Sequence, residues 1–122
     1  AAARERGLSF APGIMTPSEI EQALSLGCTL LKFFPAEAAG GMAMLKSMAE
    51  PYRHLGPSFM PLGGLRPENM AAYLKSPLVA ACGGSWICTR ELIAAADWES
   101  IKANAARAAR IARAARAPQA SP

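Results

Sequence analysis

A lysine interrupts one of the most apolar stretches of the chain. Residues 29–37 read TLLKFFPAE, and a run of this composition between Gly27 and Pro35 predicts a buried β-strand. An ammonium group on a buried strand is costly unless it is paired, neutralised or reactive. An apolar setting favours the neutral amine, which can attack a carbonyl carbon and form a Schiff base. Lys32 is therefore a candidate nucleophile.

Strand alternation places Lys32 on one face with Leu30 and Phe34. Its ordinary alternatives are to extend the amine to the rim of the sheet or to pair with Glu37, and the pattern alone does not decide between them. Glu37 can in turn orient Lys32 or cap the following helix, and we favour the structural role. His54 falls between a helix and the next strand, which predicts a surface residue away from the strand ends.

Two glycine pairs stand at equivalent places, each after a predicted strand and before a predicted helix. They are Gly63-Gly64 and Gly83-Gly84. A glycine pair lets a ligand approach the backbone, and a helix N-terminus offers unpaired N–H groups to an anion. Ser85 adds a hydroxyl donor. The repetition predicts a phosphate site, although each pair can also serve only as a tight turn.

The elements that must position these residues alternate between strand and helix. Strands are predicted at 8–14, 28–35, 58–62 and 77–82, the first ending in a Pro12-Gly13 turn. Helices are predicted at 17–27, 41–50, 67–76, 89–95 and 97–116. The first of these helices, at 17–27, begins with a capping box of Thr16 and Glu19 and has Pro17 at the first helical position, and Asp97 caps the last helix.

Four βα units in succession predict parallel strands with helical crossovers. An open doubly wound sheet and a (β/α)8 barrel share this pattern. A complete barrel needs roughly 200–250 residues, so four units in 122 residues amount to half of one.

Composition narrows the class of protein. The chain is 52% hydrophobic and 18% charged, which suits one globular domain rather than a disordered chain. No apolar run approaches the ~20 residues of a membrane helix. The three cysteines include no CxxC pair, so we expect inert thiols in a reducing cytoplasm and no metal site.

The positive charge of the chain is confined to its end. Residues 1–101 carry eight basic and nine acidic side chains, whereas 102–122 is rich in alanine and arginine. We therefore divide the chain into a βα domain at 1–101 and a helical tail at 102–122. Arginines at every third position wind round a helix and form no single basic face, which predicts a solvated helix with a frayed end at 118–122. Nucleic-acid binding by this tail is the minor alternative.

The motif LKFFPAE, together with PGIMTPSEIEQALSLG, FMPLGG and GGSW, resembles the bacterial 2-keto-3-deoxy-6-phosphogluconate (KDPG) aldolases. The resemblance runs from about Gly7 to about Lys102. It implies a class I aldolase on a (β/α)8 barrel, usually trimeric and without a cofactor. Members of this family split the phosphorylated keto acid into pyruvate and glyceraldehyde 3-phosphate, and also act on 4-hydroxy-2-oxoglutarate.

The same resemblance implies roles for individual residues. The Schiff-base lysine of the family matches Lys32, and the aromatic residue beside the imine matches Phe34, with Pro35 in the same substrate-binding segment. The phosphate loops match the two glycine pairs and the serine after them, namely Gly63, Gly64, Gly83, Gly84 and Ser85. Leu62 stands where the family usually has threonine, which removes one polar group near the phosphate.

The resemblance covers only the C-terminal half of the family's barrel. The glutamate acid/base and the carboxylate-binding arginine of the family belong to the other half. We therefore hold two interpretations: an aldolase half with Lys32 as nucleophile, or a non-catalytic half-barrel that binds phosphorylated ligands or a partner chain. Half a barrel leaves two open sheet edges, at 8–14 and 77–82, and no charge run guards either edge. We expect a partner there: a second copy, the missing N-terminal half, or a trimer-like neighbour.

Overall fold

The centre of the protein is a parallel sheet. The computed structural model describes residues 2–117, without the Arg4 side chain, and contains three strands: β1 Gly13–Ile14, β2 Leu30–Phe33 and β3 Ser58–Pro61. Their spatial order is β1-β2-β3, and both pairings are parallel. Lys32 lies in the middle strand, opposite Gly13 of β1 and Met60 of β3. The prediction of parallel βα units is confirmed.

Six α-helices and two 3₁₀ helices connect and cover the strands of the described chain. The α-helices are α1 Ala2–Glu5, α2 Pro17–Ser25, α3 Gly41–Ala49, α4 Met70–Leu74, α5 Arg90–Ala94 and α6 Trp98–Arg116. The 3₁₀ helices are Glu50–Leu55 and Ser85–Ile87. Sequence patterns did not predict α1. Helix α4 begins three residues after Pro67 because the Arg66 N–H donates to the Asn69 side chain at 2.7 Å, which forms a separate turn before the helix.

The predicted helix caps are confirmed. The Thr16 hydroxyl accepts a hydrogen bond from the Glu19 N–H, and the Glu19 carboxylate accepts from the Thr16 N–H. A further bond from the Met15 N–H at 2.7 Å is the main reason why the pKa of Glu19 is lowered. Asp97 accepts from the Ser100 N–H at 3.0 Å and starts α6. These ends are encoded by residues within four positions of each other.

The hydrophobic core lies on one face of the sheet. Leu31 and Phe33 of β2 and Phe59 of β3 are fully buried, together with residues from α2 and α3. On the other face Leu30 is 39% exposed and Phe34 is 51% exposed. The predicted alternation along β2 is confirmed. A sheet covered by helices on one face only resembles part of a barrel. A doubly wound sheet carries helices on both faces.

The fourth predicted strand, at 77–82, is reduced to a single bridge. Val79 pairs in parallel with β3 at one position only. Pro61 has no N–H to donate across the ladder, and the Ala80 carbonyl accepts from the Arg116 guanidinium instead. The strand prediction is wrong in extent because a proline of the neighbouring strand interrupts the pairing.

The first predicted strand, at 8–14, is shortened for a similar reason. Its Pro12 carbonyl accepts from the Lys32 N–H at 2.8 Å, but Pro12 has no N–H to extend the ladder towards its start. Gly13 lies within β1 rather than in the predicted Pro-Gly turn. Both outer strands are therefore short, whereas the ladder between β2 and β3 is continuous.

The alanine-rich helix α6 is packed, so the prediction of a solvated helix is wrong. One side of the helix contacts the core through Ala108, Ile111, Ala112 and Ala115. Two of its arginines are used within the molecule: Arg107 pairs with Glu68 at 3.4 Å, and Arg116 donates to the Val79 carbonyl at 3.1 Å. The predicted frayed end at 118–122 lies outside the described residues. Within 2–117, none of the helices has the length and apolar composition needed to cross a bilayer.

Candidate functional site

Lys32 lies near the carboxyl end of β2, on the open face of the sheet. Its ammonium nitrogen lies 4.8 Å from the centroid of the Phe34 ring. Such a cation–π contact holds the side chain over the ring face. The predicted neighbourhood of Lys32 and Phe34 is thus present. The Lys32 side chain is half-buried, because no opposite wall covers this face of the described chain.

The alternative ion pair between Lys32 and Glu37 does not form. Lys32 has no carboxylate within ion-pair distance among residues 2–117. Glu37 instead accepts a hydrogen bond from the Tyr73 hydroxyl. Glu37 does not cap α3 either, since no described N–H at the start of the helix donates to its carboxylate. The Lys32 amine therefore faces the open side of the sheet without a carboxylate partner.

The first glycine pair touches the segment that follows Lys32. A Cβ atom on Gly63 would lie 3.1 Å from the Phe34 ring, and one on Gly64 would lie 2.7 Å from the Glu37 side chain. Both glycines have positive φ, at +93° and +80°. Only glycine tolerates both the close contact at the Cβ position and the positive φ without strain. The pair therefore allows the loop after β3 to press against the loop after β2.

The second glycine pair lies beside the first. A Cβ atom on Gly83 would lie 3.0 Å from the Leu62 side chain, and one on Gly84 would lie 3.0 Å from the Leu65 carbonyl oxygen. Ser85 follows, exposed, at the start of a 3₁₀ turn. The structure thus brings the predicted site residues to one end of the sheet, with Leu62 between the two pairs.

Backbone N–H groups of both loops are unused within the described chain. Those of Gly63 and Gly64 have no acceptor among the described residues, and the same holds for Gly84 and Ser85. The predicted helix start directly after each glycine pair is wrong: α4 begins only at Met70, and a three-residue 3₁₀ turn follows Gly84. The loop backbone itself therefore supplies the donors, and such groups suit an oxyanion.

Sequence reasoning missed the Tyr73–Glu37 hydrogen bond. Tyr73 is 3% exposed, and burial together with Glu37 raises the pKa of its hydroxyl well above the usual value. The one available signal was a tyrosine in an apolar helix, because a buried phenol needs a hydrogen-bond partner. Nothing in the sequence identified a partner 36 positions away.

The remaining candidates for chemistry among the described residues are a histidine and a cysteine. His54 is exposed on the 3₁₀ helix before β3, as predicted. Burial raises the pKa of the Cys82 thiol to about 11, which makes it a poor nucleophile. No group of three potential metal ligands occurs among residues 2–117.

Two cavities flank the sheet at its outer edges. One, of about 580 Å³, lies between α4, α6 and residues 80–84. The other, of about 700 Å³, lies beside β1 and the residues before it. Lys32 lines neither cavity. The two cavities therefore lie beside the outer strands and not at Lys32.

Comparison with known proteins gives one consistent family. The family model for KDPG and KHG aldolases matches residues 1–104. A 2-dehydro-3-deoxy-phosphogluconate aldolase of Treponema pallidum is 44% identical over 97 residues, which cover 80% of this chain and 45% of that protein.

Solved structures agree with the sequence relatives. A Legionella pneumophila KDPG aldolase, with pyruvate captured as a covalent carbinolamine, has a TM-score of 0.77 and 37% identity, covering 83% of this chain and 48% of that one. A Zymomonas mobilis KDPG aldolase with 3-phosphoglycerate has a TM-score of 0.78 and 35% identity, covering 93% and 52%. The chain spans about half the length of these relatives.

Proposed function

Because the chain belongs to the KDPG and KHG aldolase family, we propose that it supplies the Schiff-base half of a class I aldolase, with Lys32 as nucleophile. One observation carries this proposal: the Lys32 amine lies at a strand end, free of carboxylates and over the Phe34 ring. A carbinolamine is the adduct of an amine and a carbonyl, and the Legionella relative holds pyruvate in that form. Lys32 is the matching amine in this chain.

The proposed reaction begins with attack of the neutral Lys32 amine on the C2 carbonyl of a 2-keto acid. The carbinolamine takes up a proton, loses water and becomes an iminium ion. The C3–C4 bond then breaks, its electron pair moves to the iminium nitrogen through C3 and C2, and the C4 hydroxyl gives up its proton as the aldehyde leaves. The remaining enamine takes a proton at C3, and water releases pyruvate. The Phe34 ring holds the Lys32 ammonium before it gives up a proton to become the nucleophile, and Pro35 follows Phe34 in the same segment.

The proposed substrate carries a phosphate at its far end. The unused N–H groups of Gly63, Gly64, Gly84 and Ser85 support this assignment, because backbone donors in neighbouring loops suit a phosphate group. Gly83 allows the close contact with Leu62. The bound 3-phosphoglycerate of the Zymomonas relative is a ligand of this chemical class. The Leu62 methyl groups offer no hydrogen bond, so we expect weak phosphate binding.

The C4 proton needs a base, and residues 2–117 place no carboxylate within ion-pair distance of Lys32. Glu37, on the same segment, is bound to Tyr73. We therefore propose that turnover needs a partner chain that supplies the base, as the N-terminal half of the family's barrel does, whereas a second copy of this chain would cover the sheet edges without adding one. The cavities beside both outer strands support this proposal, since each leaves unfilled space at an edge of the sheet. The three free cysteines favour a cytoplasmic setting.

Trapping with pyruvate and borohydride tests the proposal. Borohydride reduces an iminium to a stable secondary amine, so peptide mass spectrometry reports which lysine has reacted. We expect the adduct on Lys32 and its complete loss in Lys32→Ala. Lys46→Ala is the matched control, because Lys46 lies on helix α3 and away from the strand ends. An adduct that survives in Lys32→Ala means that Lys32 is not the nucleophile, and no adduct in the unchanged chain favours the non-catalytic half-barrel.

A further inference from the structure

We propose that the Tyr73–Glu37 hydrogen bond is a positioning device that holds Lys32 in its reactive geometry, an inference that rests on the proposed role of Lys32. Glu37 lies five positions after Lys32, at the far end of the segment that leaves β2. Tyr73 lies on α4, buried in the core, and its hydroxyl donates to the exposed Glu37 carboxylate. The bond therefore ties the reactive segment to a helix that the core already holds.

The backbone transmits this anchor to the loop after β3. The Ala36 N–H donates to the Leu62 carbonyl at 2.7 Å, and the Glu37 N–H donates to the Gly63 carbonyl at 3.1 Å. The Glu37 side chain rests on Gly64 so closely that a Cβ atom there would lie 2.7 Å from it. Glu37 is thus held between the glycine pair and the Tyr73 hydroxyl.

The same loop reaches the ring under Lys32. A Cβ atom on Gly63 would lie 3.1 Å from two atoms of the Phe34 ring, so this glycine limits where the ring can lie. Phe34 in turn lies 4.8 Å from the Lys32 nitrogen. Release of Glu37 from Tyr73 frees the segment end, and with it the ring that locates the amine.

Tyr73 is suited to this role by its chemistry. Burial first, and the bond to Glu37 second, raise the pKa of its hydroxyl. The phenol therefore stays protonated throughout the neutral range and remains a hydrogen-bond donor. Tyr73 does not need to touch the substrate, so we assign it as a positioning residue. Small displacements of reacting groups are known to cost up to roughly 10²-fold in rate.

The chain offers a matched control for the test. Tyr52 donates to the Glu21 carboxylate at 2.8 Å, but this second tyrosine–glutamate bond lies away from the Lys32 segment, on the 3₁₀ helix before β3 and on α2. Tyr73→Phe and Tyr52→Phe each remove one hydroxyl and one bond to a glutamate. Both keep the aromatic ring.

The measurement is the rate of borohydride trapping on Lys32 over a range of pyruvate concentrations. We expect Tyr73→Phe and Glu37→Ala to lower the maximal trapping rate about three- to tenfold, while Tyr52→Phe leaves it unchanged. Glu37→Gln retains an acceptor for the Tyr73 hydroxyl and should restore most of the rate. Equal trapping rates in Tyr73→Phe and Tyr52→Phe would overturn the proposal. An equal loss of the maximal trapping rate in Glu37→Gln and Glu37→Ala would overturn it as well.

A second readout needs no aldolase chemistry. Competitive acetylation compares Lys32 with Lys46 in the same molecule, and peptide mass spectrometry gives the ratio of their rates. We expect Lys32 to react at least twofold faster relative to Lys46 in Tyr73→Phe and in Glu37→Ala, because the amine is no longer held against the ring. If the ratio is the same in both variants as in the chain without substitutions, the inference is overturned, whether or not pyruvate is trapped. A failure of pyruvate trapping in the chain without substitutions separately contradicts the proposed function.

Discussion

The middle of the sheet and its two outer edges differ in how much of their backbone pairing and burial this chain provides by itself. Between β2 and β3 the ladder is continuous, the core face is fully buried and the loops beyond the strands bond to one another. At the edges, prolines at 12 and 61 interrupt the pairing, and a cavity lies beside each outer strand. The proposed nucleophile belongs to the middle, whereas a group contributed by a partner chain would enter from the edges.

The two edges are themselves unequal. Beyond residues 77–82, the end of α6 covers the sheet, and Arg116 donates to the carbonyls of Val79 and Ala80. The sequence has no charge run at this edge, but the structure brings a single arginine from helix α6 to it. A guanidinium group occupies carbonyls that would otherwise offer themselves to another strand. Partial cover of this kind allows half a barrel to hold together while it remains open to a partner.

The reactivity of the Cys82 thiol measures how well α6 covers the sheet edge at 77–82. Of the predictions, this one has the largest expected effect. Its pKa of about 11 leaves roughly 10²-fold less thiolate near pH 8 than an unshifted thiol with a pKa near 9. Iodoacetamide should therefore modify exposed Cys88 long before Cys82. The difference should narrow as the pH rises through 11. Equal rates at pH 8, followed by peptide mass spectrometry, would show that the edge is open.

Substitution of Gly64 tests how closely the loop after β3 packs against the loop after β2. Gly64→Ala places a Cβ atom 2.7 Å from Glu37 on a backbone with φ of +80°. Gly56→Ala is the matched control, since Gly56 has φ of +68° but no atom within 4 Å of its Cβ position. Left-handed backbone strain costs about 1–2 kcal/mol in each. We expect Gly64→Ala to lose more stability in urea unfolding and to trap pyruvate about tenfold more slowly, whereas equal stability losses would mean that the two loops are not in close contact.

Arg116 tests whether the second edge is guarded, with a smaller expected effect. The chain should sediment above its monomer mass at micromolar concentration, because both edges still carry unpaired backbone groups. Arg116→Ala uncovers two carbonyls and should strengthen association a few-fold. Arg110→Ala, an exposed arginine of the same helix, should not. A stable, cooperatively unfolding monomer would instead favour a self-contained sheet.

Local features of this fold could be predicted from sequence, because the interacting residues are close in the chain. The capping box at Thr16, the start of α6 at Asp97 and the alternation along β2 all depend on neighbours within four positions. The convergence of Lys32 and the two glycine loops followed from the rule that parallel strands end on one side.

Features that depend on distant partners could not be predicted in this way. The Tyr73–Glu37 bond joins residues 36 positions apart, and the cover by Arg116 joins residues 36 or 37 positions apart. The short outer strands had a visible signal in Pro12 and Pro61. That signal was outweighed by the apolar composition of the segments, although a missing N–H limits a ladder regardless of composition.

The division between a complete middle and incomplete edges is tested most directly by the cleavage of KDPG. Pyruvate release by this chain would be measured alongside the full-length Treponema pallidum relative, in the same assay and at the same molar concentration. General acid–base catalysis commonly contributes ~10²–10⁴-fold. We predict that the chain alone forms the pyruvate adduct on Lys32 but cleaves KDPG at least ~10²-fold more slowly than the relative. Turnover equal to that of the relative would contradict the account, because a residue of this chain would then be supplying the missing base.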